Sequence, residues 1–96
     1  MAAGVAKSER MWGFTSEERR VLSRATAGLP ELRSVIDRAV PRPDLAPDLH
    51  LVRATFAELD GMYSLVEGLM DGTRSTRRLE LLDGLLASLC SSLDSV

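Results

Sequence analysis

One cysteine, one histidine, one lysine and four aromatic residues are all that this 96-residue chain holds of those types. Each scarcity excludes something. Cys90 alone cannot close an intrachain disulfide, which suits a reducing compartment, and a cytoplasmic location is expected. His50 alone cannot supply the paired imidazoles of the usual metal sites, and no glutamate stands at the Glu-x-x-His spacing of di-iron bundles. A glycine-rich phosphate loop of the P-loop or Rossmann kind is missing, so no nucleotide site is indicated. No run reaches the ~20 apolar residues of a membrane span. The stretch around Lys7, Glu9 and Arg10 has no apolar core, so no secretory leader is expected. Runs of β-branched residues alternating with polar ones are also lacking, and strands are not expected.

What is present points to helices. The composition is 45% apolar, carried mostly by Leu, Val and Ala. A chain of this length makes one domain and buries only about 60–65% of its unfolded surface. Leu49, Val52, Phe56, Leu59, Tyr63, Val66 and Met70 recur at alternating threes and fours. After the turn Asp71-Gly72-Thr73, Leu79, Leu82, Leu86, Leu89, Leu93 and Val96 do the same. This spacing predicts one helix over Pro47–Met70 and another over Ser75–Asp94.

Upstream, Thr15-Ser16-Glu17-Glu18 has the form of a capping box and opens a helix. Its seam runs through Leu22, Ala25, Leu29, Leu32, Ile36 and Ala39, and keeps register across Gly28-Leu29-Pro30. That favours a kink at Pro30 over two helices with Pro30 at the first position of the second. Pro41 to Ala46 is a rigid connection. The expected architecture is therefore all-α: an antiparallel three-helix, up-down-up bundle with a kinked first helix, over residues 15–96. Residues 1–14 are expected to be a mobile arm, with Met11, Trp12 and Phe14 anchoring it or docking another protein.

A second helical face is made of small residues. Ala54, Ala57, Gly61, Ser64 and Gly68 share it on one helix, and Gly84, Ala87, Ser88, Ser91 and Ser95 on the next. Three mid-helix glycines cost about 3 kcal/mol together relative to alanine, so close approach of another backbone is expected to offset them. Gly61, Gly68, Gly84, Ser88 and Ser91 are accordingly the candidate interface of a homodimer.

Chemistry is sparse. No catalytic residue, metal or cofactor is expected. His50 reads as an exposed histidine on a helix surface, Cys90 as a small buried hydrophobe, and Glu58, Asp60, Glu67 and Asp71 as a solvated face. The net charge is −2, but it is split: +3 over residues 1–42 and −5 over residues 43–96. Arginine outnumbers lysine eleven to one, a bias of the kind that GC-rich bacterial genomes impose. Arg74, Arg77 and Arg78 cluster near the last turn, and with Arg19, Arg20 and Arg24 they could form an anionic-partner patch. Nucleic acid is the less favoured partner, since the chain is acidic and poor in stacking residues. The expected function is a non-enzymatic protein–protein interaction module: a small adaptor, inhibitor or regulator, homodimeric. Its partner-binding residues would be Trp12, Phe14, Arg74, Arg77 and Arg78. The alternative is a nucleic-acid-associated regulator using the arginine patch.

Overall fold

The computed structural model describes residues 9–94. The first eight residues of the expected arm lie outside that range, as do Ser95 and Val96. The described chain runs β1 (Glu9–Phe14), α1 (Ser16–Ala25), α2 (Pro30–Arg38), β2 (Val40–Pro41), β3 (His50–Thr55), α3 (Phe56–Asp71) and α4 (Thr76–Asp94). The all-α bundle is thus corrected to a mixed fold, with a three-stranded antiparallel sheet of order β1-β3-β2 beside four helices.

The error in the helical expectation lies at residues 47–55. Leu49, Val52 and Phe56 satisfy threes and fours, but Val52 also belongs to a period of two. In β3, Val52 and Ala54 are buried while Arg53 between them is exposed. In β1, Trp12 and Phe14 are buried and Met11 is exposed. The two strands pair with Trp12 opposite Val52 and Phe14 opposite His50. Opposed residues of an antiparallel pair share a face, so this register stacks the buried side chains of both strands on one side. The stretch expected to finish a mobile arm is therefore a strand paired along six residues. The true start of α3 is a second capping box: Glu58 N–H donates to Thr55 Oγ1 at 3.2 Å, and Thr55 N–H to Glu58 Oε1 at 2.9 Å.

The expected kinked helix is also corrected, to two helices. α1 opens on the capping box anticipated at Thr15, with Glu18 N–H on Thr15 Oγ1 at 3.2 Å and Thr15 N–H on Glu18 Oε1 at 2.8 Å. It closes at buried Thr26, whose hydroxyl donates back to the Leu22 carbonyl at 2.7 Å. Pro30 then stands at the first position of α2, where its missing N–H leaves no bond unmade. Inside a continuous helix its ring would collide with the Thr26 carbonyl, and the chain avoids this through residues 26–29.

The helices cover one side of the sheet only. α4 packs on β1, and α2 and α3 on β3. Trp12, Phe14, Val52 and Ala54 meet Leu59, Met62 and Val66 of α3, and Leu82, Leu85 and Leu89 of α4, in a single core. Two serines spaced one turn apart tie α4 to β1. Ser88 Oγ accepts the Trp12 indole N–H at 3.0 Å, and Ser92 Oγ donates to the Met11 carbonyl at 2.8 Å. The second bond occupies a backbone acceptor on the sheet's longer edge. The other edge, β2, is two residues long and ends in Pro41. The β2 edge is thereby made a poor template for another strand, and the β1 edge has one acceptor fewer.

Candidate interaction surface

α1 presents Glu17, Arg20, Val21, Arg24 and Ala25 along one face, at helical spacing. Opposite lie the first turns of α4, with Arg77, Arg78 and Leu81, and Leu69 from the end of α3. Ser75 caps α4, its hydroxyl accepting the Arg78 N–H at 3.3 Å and its carbonyl the Leu79 N–H at 2.9 Å. That cap turns Arg77 and Arg78 into the first helical turn, beside α1. Together these residues enclose an open groove of about 560 Å³. Val21, Leu69 and Leu81 are half-buried and form its floor.

Four guanidiniums line the walls against one carboxylate. Arg77 pairs with Glu17 at 3.4 Å, both side chains being well exposed. Arg24 and Arg78 have no side-chain partner among the described residues. Arg20 lies close enough to Asp48 to help hold its carboxyl low. Four like charges on one groove repel each other, and an anion placed between them removes that cost.

A second cluster lies where α1 starts. Asp48 accepts the Ser16 backbone N–H at 3.2 Å and the Ser16 hydroxyl, and Ser16 Oγ lies 3.0 Å from His50 Nε2. These bonds from Ser16, with His50 and Arg20 nearby, hold the Asp48 carboxyl below the usual carboxylate range. Ser16 has one hydroxyl proton and gives it to Asp48, so His50 Nε2 carries a hydrogen and donates to Ser16. Nδ1 is buried and without a hydrogen-bond partner. A hydrolytic triad needs the reverse order, with the carboxylate on Nδ1 and the imidazole accepting the serine proton. The cluster braces the α1 N-terminus instead. His50 is therefore not the exposed helix histidine expected: it lies in β3, half-buried, stacked on Phe14 at 6.2 Å and 9°.

The other anticipated residues are dispersed. Trp12 and Phe14 are each 1% exposed, with ring centroids 4.8 Å apart, and both sit in the core. Arg74 is exposed in the α3–α4 link, outside the groove that takes Arg77 and Arg78. Gly61 is half-buried beneath α2, where an added Cβ would come 3.3 Å from Leu32 Cδ2. At Gly84 it would lie 3.9 Å from Glu18 Oε2, and Ser88 is engaged by Trp12. Gly61 and Ser88 thus face elements of their own chain, while Gly68, Gly84 and Ser91 are exposed. Cys90, expected to be buried, is exposed. The Tyr63 hydroxyl has its pKa pushed up, first by the neighbouring Cys90 thiol and then by Glu67. Glu58, grouped with a solvated face, instead takes a two-pronged bond from Arg38 at 3.1 and 3.3 Å.

The fold and groove define a small α+β domain with an arginine-walled, apolar-floored cleft. No family model, curated protein or solved structure matches the chain. Among the described residues no group of three or more His, Cys, Asp and Glu could hold a metal ion, and no helix is long and apolar enough to cross a membrane.

Proposed function

We propose that this protein is a non-enzymatic interaction module that receives an acidic, partly apolar segment of another protein in the groove between α1 and α4. The observation that carries this reading is the convergence of Arg20, Arg24, Arg77 and Arg78 on a floor of Val21, Leu69 and Leu81. Carboxylates of a partner match the forked guanidiniums, and its apolar side chains match the floor. Nucleic acid matches the charge but not the floor, and no aromatic ring lines the groove for a base to stack on. The non-enzymatic part of the reading draws on the Ser16–Asp48–His50 cluster, which lacks the carboxylate-to-Nδ1 contact of a hydrolytic triad. An exposed lone thiol, Cys90, suits a cytoplasmic setting.

Selection from a displayed library of helical peptides tests the reading, with duplex and single-stranded DNA assayed in parallel. Enriched peptides should carry Asp or Glu flanking an apolar stripe. Their affinity should fall about tenfold or more in the variant with Arg24→Glu and Arg78→Glu, the loss expected of a charge-bearing hot spot. Enriched peptides that bind the variant equally well would sink the proposal. So would DNA binding tighter than any peptide with a steep salt dependence.

A further inference from the structure

The arginine groove already holds an anion from its own chain. Glu17 stands in the first turn of α1 and is the one carboxylate among the lining residues. It reaches across to Arg77 of α4 at 3.4 Å. The need for it is visible in α4. The first turns of α1, α2 and α3 carry Glu17 and Glu18, Glu31 and Glu58, whereas that of α4 carries Arg77 and Arg78 and no acidic residue. Guanidiniums at the positive end of a helix dipole are unfavourably placed. Glu17 supplies the missing negative charge from the neighbouring helix.

The other carboxylates nearby are committed elsewhere. Glu18 accepts the Thr15 N–H in the capping box, and Asp48 accepts both Ser16 donors. Yet Glu17 is not held firmly. Its side chain is 57% exposed and that of Arg77 88%, and one contact joins them. Such a pair contributes little in water. Arg38 and Glu58 give the contrast, with two contacts on a carboxylate that also caps α3. Once released, Glu17 still stands in the first turn of α1, where the dipole of that helix favours it.

We infer that Glu17 is a built-in competitor for the groove: it holds on Arg77 the place that a carboxylate of the partner takes, and the partner displaces it. The inference rests on the reading of the groove as a site for an acidic segment. In the free chain Glu17 lowers the charge of the lining residues from +4 to +3 and keeps one of the four guanidiniums occupied. An incoming carboxylate must therefore break an ion pair before it makes one. Glu17 sets the affinity of the groove below what its arginines alone would give.

The test is calorimetric titration of the full chain with an acidic helical peptide enriched in the selection described above, with circular dichroism to show that each variant folds. Glu17→Gln should tighten binding about two- to fivefold, the range that an exposed ion pair can withhold. In an Arg77→Gln background the same change should gain clearly less, because no guanidinium is left there to release. Binding that is unchanged or weaker in Glu17→Gln overturns the inference, since Glu17 would then be idle or would position Arg77 for the partner. An equal gain in both backgrounds overturns it too, because Glu17 would then act through overall charge alone. The variant with Arg24→Glu and Arg78→Glu separates the two levels. If it loses binding while Glu17→Gln gains none, only the competitor role falls. If it binds as the wild type does, or if the library yields no peptide, the reading of the groove and the inference fall together.

Discussion

The chain makes the same local structure twice, forty positions apart. β1 runs into α1 through Thr15 and Glu18, and β3 runs into α3 through Thr55 and Glu58, each pair forming a complete capping box. Each strand buries its even-numbered residues and ends at the first residues of a helix that packs on the core. The difference lies in what surrounds the box. Thr15 itself is exposed, and α1 turns its outer face to the arginine groove. Around Thr55 the cap is half-buried, and Glu58 also receives Arg38, which reaches the Arg53 carbonyl at 3.1 Å as well. One junction fixes only the first turn of its helix, through Ser16, and leaves the rest to present charge. The other locks three elements, α2, β3 and α3, at one point. Identical capping chemistry thus serves a surface in one place and the core in the other.

The strand pair underneath both junctions offers the most drastic way to break the comparison. Trp12→Ala removes the largest buried side chain of β1 and leaves Ser88 without its indole donor. It should cost about 3–5 kcal/mol, a large part of the stability of a domain this small. Val52→Ala removes the side chain opposite and should cost about 2 kcal/mol. Urea denaturation followed by circular dichroism measures both. A Trp12→Ala loss below that of Val52→Ala would mean that β1 is a loosely held strand, and that α3 and α4 carry the fold alone.

The two caps themselves sharpen it. Thr55→Ala should cost about 1–2 kcal/mol and Thr15→Ala about 0.5–1 kcal/mol, because Thr15 is exposed while Thr55 is half-buried and shares its Glu58 with Arg38. Acid separates the junctions further. Burial pushes the Glu58 carboxyl up, but bonds from Arg38 and Thr55 outweigh it and hold the carboxyl below its ordinary range. A carboxyl with a depressed folded pKa contributes stability above its unfolded pKa, about 4.3 for glutamate. That stability is lost as pH falls through the folded value. Melting temperature should therefore drop below about pH 4, and Glu58→Gln should flatten that drop while lowering the neutral-pH value. Equal acid profiles for Glu58→Gln and wild type would show that the Arg38 fork carries no net stability.

The two junctions were also unequally visible in the sequence. Thr15-Ser16-Glu17-Glu18 stands in front of a helical seam with nothing competing, and the capping box it spells is the one that forms. Thr55-Phe56-Ala57-Glu58 has the same form, but Leu49, Val52 and Phe56 fit a helix of period 3.6 across it. Val52 fits both periods, and only the exposed Arg53 between two small apolar residues marks a strand. β1 was hidden for a related reason. Trp12 and Phe14 alternate over too few residues to signal a strand without knowledge of β3 beside them. Pro30 was placed in a seam that holds register by coincidence of a short link. Of the candidate groove, Arg77 and Arg78 were legible as a cluster, and Arg20 and Arg24 as possible companions. Their convergence needed the packing of α1 on α4, which no local pattern encodes. Small residues were legible as a class, but not what each of them faces: Gly61 lies against Leu32 and Ser88 holds the Trp12 indole, while Gly68, Gly84 and Ser91 are exposed.

Those glycines give the smallest and most discriminating test of the two units. α1 has no glycine in its body, whereas α3 carries Gly61 and Gly68. Gly68 is exposed, with nothing within 4 Å of an added Cβ. Gly68→Ala should therefore recover the helical entropy cost in full, raising stability by about 0.5–1 kcal/mol. At Gly61 the same methyl would come 3.3 Å from Leu32 Cδ2 on α2, closer than comfortable contact. The gain in helix propensity is then offset by displacing α2, and Gly61→Ala should be close to neutral or mildly destabilising. Thermal melts at one protein concentration distinguish the pair. If Gly68→Ala fails to stabilise, the exposed face of α3 is not open in solution, and its glycine is held against something that the isolated chain does not include. If Gly61→Ala stabilises as much as Gly68→Ala, α2 rides loosely on α3, and the rigid junction at Thr55 and Glu58 owes its order to β3 alone.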